Sequence, residues 1–297
     1  MRLGYASINL SIPSKFRTCR LQTVETEGVE KVKELTLHNL GEVLKIVKWN
    51  IEHGIGLYRV TSNLVPFGSH PIHSWRWWED SEVLEIAAEI KQLKSQHQLR
   101  LTVHPGQFTL LTTPNAEVLQ RSIWDLEYHA RLMELLDGDV IVLHVGGAYG
   151  DKEAAKKRFL HHYRELDPSI LKLLCLENDD KTYNLQDVVE VSYGHSPPIP
   201  IIFDIHHHRC NPSSLPLTEL LPKVIQSWGH VRRPKVHISS GKTSPTDTAH
   251  HDFVFEEDLD ELLAVMGDHS FDVMLESKKK DISCLRILKH LGRVKGE

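Results

Sequence analysis

The stretch IIFDIHHHRC, residues 201–210, is an apolar run that ends in an aspartate and three consecutive histidines. Carboxylate beside imidazole is a donor set for divalent transition metals, but a surface histidine cluster has the same composition, so Asp204 needs partners elsewhere. Such partners recur along the chain. Mostly apolar runs close on Tyr5, Arg59, His104, His144, Glu177, Asp204, His237 and Glu276. Taken singly, His104 or His144 could be a satisfied core histidine, and Glu177 could pair with a loop lysine. Taken together, three carboxylates and several imidazoles in one concavity would repel unless cations or protons neutralise them. Bound divalent metals are the simplest neutraliser. Mixed His and carboxylate donors without thiolate suit Zn²⁺, Mn²⁺ or Fe²⁺, and bridging carboxylates would hold two or more ions close together. Such a cluster characteristically hydrolyses phosphate esters, one ion activating water and another stabilising the leaving oxygen. Metal sites on the same fold also isomerise sugars, and fold alone does not decide between the two.

Lys235 lies two residues before His237 on a strand-like run, so both side chains share a face. An ammonium beside metal ions would be repelled. Three readings follow: the lysine sits just outside the cluster and contacts substrate phosphate, it points away, or it has reacted with CO₂ to become an anionic carbamate ligand. Sequence geometry alone favours the phosphate contact.

These residues need a frame that brings eight chain segments to one place. Strand-like runs at 2–6, 56–60, 100–104, 140–144, 171–177, 199–204, 235–239 and 271–276 alternate with helical segments such as 27–54 and 82–96. Several runs are apolar at nearly every position, as strands buried on both faces of a parallel sheet are. The helical segments carry apolar residues at spacings of three and four, and the first closes on Gly54. Strand and helix repeated eight times predict an α/β fold, a single TIM (β/α)8 barrel over residues 1–297, with its site at the C-terminal ends of the strands.

The bulk composition is compatible with that frame. The 297 residues are 40% hydrophobic and 25% charged, no apolar segment reaches the length of a membrane span, and the N-terminus lacks a secretory pattern. A cytoplasmic protein is expected. Four cysteines at 19, 175, 210 and 284 form no C-x-x-C pair, so neither a disulfide framework nor a thiolate zinc site is suggested. The formal net charge of −5 argues mildly against a partner as anionic as DNA, although a local basic surface can coexist with an acidic total.

The motifs LGYASINL, PFGSHP, HPGQF, LHVGGAYGDK, LENDDK, KVHISSGK and MLESKKK resemble the UV damage endonuclease family over nearly the whole chain. That family is similar in turn to endonuclease IV and the xylose-isomerase-like barrels. The resemblance implies an ATP-independent endonuclease that cuts DNA immediately 5′ to UV photoproducts, both cyclobutane pyrimidine dimers and 6-4 photoproducts, leaving a 3′-hydroxyl and a 5′-phosphate. Its cofactor would be Mn²⁺, as two to three ions, with Zn²⁺ or Mg²⁺ as alternatives. The ligands it implies are His104, His144, Glu177, Asp204, His207, His237, His250 and Glu276, with Glu177 and Glu276 also catalytic. The partner would be double-stranded DNA carrying UV lesions, with no membrane and no obligate protein partner inferred.

Two assignments in this set allow a register slip. Strict alternation pairs Asp204 with His206 on the inward face, whereas the family pattern selects His207, and both hold only if the chain leaves strand geometry after Ile205. His250 is preferred to His251 because the family pattern reads His, any residue, Asp, aromatic. At Lys235 the endonuclease IV-like relatives carry an aspartate, so a carboxylated lysine would restore the negative oxygen ligand. The resemblance therefore makes the carbamate, a ninth ligand and a catalytic group, the preferred reading there.

Lesion recognition requires extruding stacked bases. Gln107 and Phe108 match the family's wedge pair, whose planar amide and aromatic ring suit stacking and base-edge contact, although Phe108 could merely pack a loop. Tyr5 and Asn9 match family positions near the lesion pocket. The tryptophans of HSWRWWED, residues 73–80, are expected to pack the barrel rim rather than stack on bases. Basic runs VRRPK, KKR at 156–158 and KKK at 278–280 are either phosphate contacts or solvated charge. The rival reading is an abasic-site endonuclease of the endonuclease IV type, from which the HPGQF wedge and Lys235 separate this chain.

Overall fold

The computed structural model describes residues 1–229 and 232–293; positions 230, 231 and 294–297 of the expected 1–297 unit lie outside the described residues. Eight strands follow one another in sequence and in space: β1 (Leu3–Ala6), β2 (Leu57–Arg59), β3 (Arg100–Val103), β4 (Val140–His144), β5 (Leu174–Glu177), β6 (Ile201–Asp204), β7 (Lys235–Ile238) and β8 (Asp272–Leu275). Each pairs in parallel with its neighbour, and Leu3 opposite Val273 closes β1 onto β8, so the sheet is a closed barrel. This is the expected TIM barrel. Every strand residue is buried except His144, which is partly open, and that explains the unbroken apolar runs.

The helices form where the apolar periodicity placed them. Val29–Glu52 buries Val32, Leu35, Leu40, Val43, Ile46 and Val47 along one face, and the chain turns out of it at Gly54, whose φ is 70°. Ser81–His97 starts on the side chain of Asp80, which accepts from the Glu82 amide. Most strands are a residue or two shorter than their runs, and the run at 171–177 loses the most. Residues Pro168–Leu171 form a helical turn because Asp167 caps it and Pro168 stands at its first position, so the run at 171–177 becomes a strand only from Leu174.

Alternation along the strands sorts the inward residues into layers. Arg100, Val140 and Asp272 stand at the N-terminal end; Thr102, Val142, Cys175, Ile202, Lys235 and Met274 form the middle. Val140, Val142, Cys175 and Ile202 make a small apolar cluster of their own with Trp228, separate from the larger core. At the C-terminal end this alternation brings His144, Glu177, Asp204 and His237 inward, with His104 and Glu276 immediately past β3 and β8. No helix among the described residues is long and apolar enough to cross a membrane.

Candidate metal centre

Glu177, the last residue of β5, is the centre of the mouth. Its Oε2 lies 3.2 Å from Nε2 of His104 and 3.7 Å from Nε2 of His144, and its Oε1 lies 2.7 Å from Nδ1 of His237 and 3.6 Å from Nδ1 of His207. Three donor groups share it: His104 with His144, His237 with Glu276, and Asp204 with His207, the donor atoms of each group lying within 4.8 Å of one another. Ligand bonds to such cations run about 2.0–2.2 Å, so each group is close to the span of one ion. The cluster also contains a polar atom with nothing to bind. Oδ2 of Asp204 is buried without a hydrogen-bond partner, a cost that a cation among these donors would remove.

Ring orientation is fixed from outside. Nδ1 of His104 lies 2.9 Å from the carbonyl of Pro105, and Nδ1 of His207 lies 2.9 Å from the carbonyl of Asn178, so both must donate there and Nε2 is left as the lone-pair donor of the neutral ring. Asn178 also brackets the main chain of Asp204, donating to its carbonyl and accepting from its amide at 2.9 Å each. Nothing in the sequence pattern singled out Asn178, though it stands in LENDDK directly after the central carboxylate.

Burial works against the charge on Glu177, but His237, His144 and His104 outweigh it and hold the carboxyl well below the usual range. Burial likewise opposes ionised Glu276, and Arg59, then His237, overcome it; the Arg59 guanidinium stands 2.6 Å from Oε1. Burial lowers His104 to about 4 against the pull of Glu177. His207 goes the other way: burial resists the imidazolium, yet Asp204, Glu177 and Glu276 raise it to about 9. Arg59 closes β2 and is buried, but its pairing to Glu276 is a contact between segments 217 residues apart, which no local pattern displays.

The remaining expected residues divide. Lys235 is fully buried on β7 with Nζ 3.4 Å from Oγ1 of Thr102, one layer below His237 and outside the three donor groups. Burial, then Arg59 and Arg100, push it down to about 7, with Glu177 and Glu276 opposing. His250 also stands outside the groups, its ring centre 6.3 Å from that of His207; His251 is turned instead against Phe255 at 4.6 Å. Gln107 lines a cleft of about 510 Å³ together with His104 and His144, and Phe108 beside it is 79% exposed.

Tyr5 stands on β1 and Asn9 in the loop after it. Both are buried; the Tyr5 hydroxyl donates to Asn50 Oδ1 and accepts from Asn9 Nδ2, each at 2.8 Å, while Asn9 Oδ1 accepts from the amides of Ser11 and Ile12. Their polar atoms are occupied in shaping the loop after β1, so neither presents a surface to a lesion in this structure. The tryptophan loop packs the rim: Trp77 is buried, and Arg131 covers Trp78 at 3.9 Å. In KKR, Lys156 is tied to Asp187 and Glu190, which removes it from phosphate contact.

The sequence model of the family described as UV-endonuclease UvdE matches residues 1–296. A UV DNA damage endonuclease of Bacillus thuringiensis subsp. konkukian (strain 97-27) is 36% identical over 310 residues, covering 100% of this chain and 96% of the relative. Among solved structures, SacUVDE superposes with a TM-score of 0.86 at 31% identity over 99% of this chain and 100% of its own. Endonuclease IV from Thermus thermophilus shares the fold, with a TM-score of 0.60 at 16% identity over 84% of this chain and 93% of its own. The chain belongs to the UV-endonuclease UvdE family.

Proposed function

We propose that the chain is a metal-dependent DNA repair endonuclease that hydrolyses the phosphodiester immediately 5′ to UV photoproducts, without ATP. The observation that carries this reading is the sharing of Glu177 by three His and carboxylate donor groups in one mouth. His104, His144, Glu177, Asp204, His207, His237 and Glu276 would hold two or three divalent ions, with Mn²⁺ as the family's choice and Zn²⁺ or Mg²⁺ as alternatives. Such ions supply Lewis-acid charge for the phosphodiester and lower the pKa of water at the site.

The chain's own residues prepare that chemistry. Glu177 and Glu276 stay anionic despite burial because imidazoles and Arg59 surround them. The carbonyls of Pro105 and Asn178 hold His104 and His207 in the tautomer that presents Nε2. Lys235, held near pH 7, is partly the free amine that attacks CO₂; the new N–C bond releases one proton and leaves a carbamate anion. Phe108, exposed beside the His104 and Gln107 cleft, is free to enter a duplex from which bases have been turned out. The relatives' names, UV DNA damage endonuclease, agree with that substrate.

Duplexes bearing a defined cyclobutane dimer, a 6-4 photoproduct, an abasic site or no lesion, incubated with protein and Mn²⁺ and mapped at nucleotide resolution, test the proposal. Incision should fall one bond 5′ to the photoproducts and vanish in Glu177→Ala. Absence of incision at either photoproduct refutes it, and incision at the abasic duplex alone assigns the endonuclease IV reaction.

A further inference from the structure

The arginines of VRRPK fall at the opposite end of the barrel from the metal donors. Val231 lies outside the described residues, but Arg232 and Arg233 stand just before β7. With Arg2 ahead of β1, Arg100 opening β3 and Lys94 near the end of helix Ser81–His97, they line a cavity of about 370 Å³ bounded also by Asp139.

Charge at this end of a TIM barrel ordinarily serves stability. Part of the cluster does so. Asp272, fully buried at the start of β8, accepts from Nη1 of both Arg2 and Arg100 at 3.1 Å. Arg100 Nε reaches Asp139 at 3.0 Å, and Lys94 pairs with Asp137 at 2.6 Å. Those contacts satisfy the three carboxylates without the remaining arginines. Arg232 donates to the main-chain carbonyl of Asp139 at 2.8 Å and has no carboxylate within 4.0 Å among the described residues. Arg233 comes no nearer than 3.7 Å to Asp272, which two other arginines already hold.

A second observation points the same way. Nη2 of Arg100 has no hydrogen-bond partner although its side chain is only 5% exposed. A buried guanidinium N–H left unmade is costly, and neutralising Asp272 does not require it. Trp228 holds both forks in place, with the guanidinium carbons of Arg100 and Arg232 5.5 and 5.6 Å from its ring centre. Fixed guanidinium groups with surplus charge and a free N–H suit an oxyanion that accepts several hydrogen bonds, as phosphate does.

We propose that this basic cavity at the N-terminal mouth of the barrel binds a phosphate-bearing small anion, independently of the metal centre. Calorimetric titration of the full chain with inorganic phosphate tests it, using three proteins: the native chain, Glu177→Ala and the double variant Arg232→Gln/Arg233→Gln. Saturable binding should survive Glu177→Ala and weaken roughly tenfold or more in the double variant, whose incision of damaged DNA stays unchanged. Arg233→Gln alone, at an exposed position, carries the test if the double variant fails to fold. No saturable binding, binding lost with Glu177→Ala, or binding undiminished by the arginine substitutions overturns the proposal. So does an undamaged duplex whose affinity falls with the arginines while that of phosphate does not, since the face would then belong to DNA.

Discussion

The main-chain amide of His207 donates to Oδ1 of Asp204 at 2.8 Å, so the aspartate that closes β6 also caps the helix Ile205–Cys210. Strand geometry therefore ends at Asp204, and the helical turn rather than strand alternation decides which histidine faces the cluster. His207 comes to Glu177, while His206 is buried beside Cys210, its Nε2 3.8 Å from the thiol sulfur. His207→Ala is expected to cost more than the roughly 10–100-fold in Mn²⁺ affinity that follows loss of a group merely orienting a metal ligand. His206→Ala should keep the number of ions bound and lower thermal stability instead. Calorimetric Mn²⁺ titrations and melting curves of both variants distinguish the two, and equal loss of metal would contradict the assignment.

Metal binding should release a proton. His207 is raised from 6.5 to about 9, against the effect of burial, by Asp204, Glu177 and Glu276, so at neutral pH the metal-free ring carries its proton. An ion at Glu177, Asp204 and His207 needs the neutral imidazole and must displace it. Apparent affinity then rises with pH, by up to roughly tenfold per unit, until about pH 9, where the ring is already neutral. Calorimetry at neutral pH in buffers of different ionisation heat measures the protons released, and a heat independent of buffer would refute the prediction.

How much of this could be read from residues alone depends on the range of the interaction that decides each feature. The eight strands were legible because burial on both faces leaves an apolar run, and the histidines and carboxylates closing six of these runs marked the mouth. His104, His144, Glu177 and Asp204 follow from that rule. Contacts between strand ends far apart in sequence left no local trace: Arg59 reaches Glu276 only after β8 closes onto β1, and Asn178 supports His207 only once β5 and β6 pair. The burial of Tyr5 and Asn9 was not legible either, since it is Asn50 of the helix Val29–Glu52, 45 residues on, that takes the tyrosine hydroxyl. The run at 171–177 misled because apolarity does not distinguish a buried helical turn from a strand, and the cap Asp167 lay outside it.

Phe108 offers a separation of recognition from folding. At 79% exposure its ring contributes little to the core, so Phe108→Ala should leave stability within about 0.5 kcal/mol. If the ring stacks where bases have been turned out, the same change should weaken binding of a photoproduct duplex by about 1–3 kcal/mol. Affinity for an undamaged duplex should hardly move. Denaturation and fluorescence-anisotropy titrations on the two duplexes supply the comparison; an equal loss on both would make Phe108 a general DNA contact and not a wedge.

Lys235 carries the sharpest chemical prediction. A fully buried lysine without a carboxylate within 4.0 Å among the described residues is pushed down, by burial first and then by Arg59 and Arg100, to about 7. Near that pH a substantial share of the amine is unprotonated and nucleophilic, whereas an exposed lysine is almost wholly ammonium. With ¹³C-labelled bicarbonate, a carbonyl resonance should appear in the native protein, strengthen between pH 7 and 8.5, and be absent from Lys235→Met, a substitution chosen to fill the same volume. A diamagnetic ion, Zn²⁺ or Mg²⁺, should strengthen the signal further, because an anionic carbamate beside the cluster gains a cation to bind. Lys235→Met should also bind Mn²⁺ more weakly, without the loss of fold that would show as a lower melting temperature in the metal-free state. A resonance that persists in Lys235→Met places the carbamate on another amine, and none at all up to pH 8.5 leaves Lys235 an unmodified buried amine.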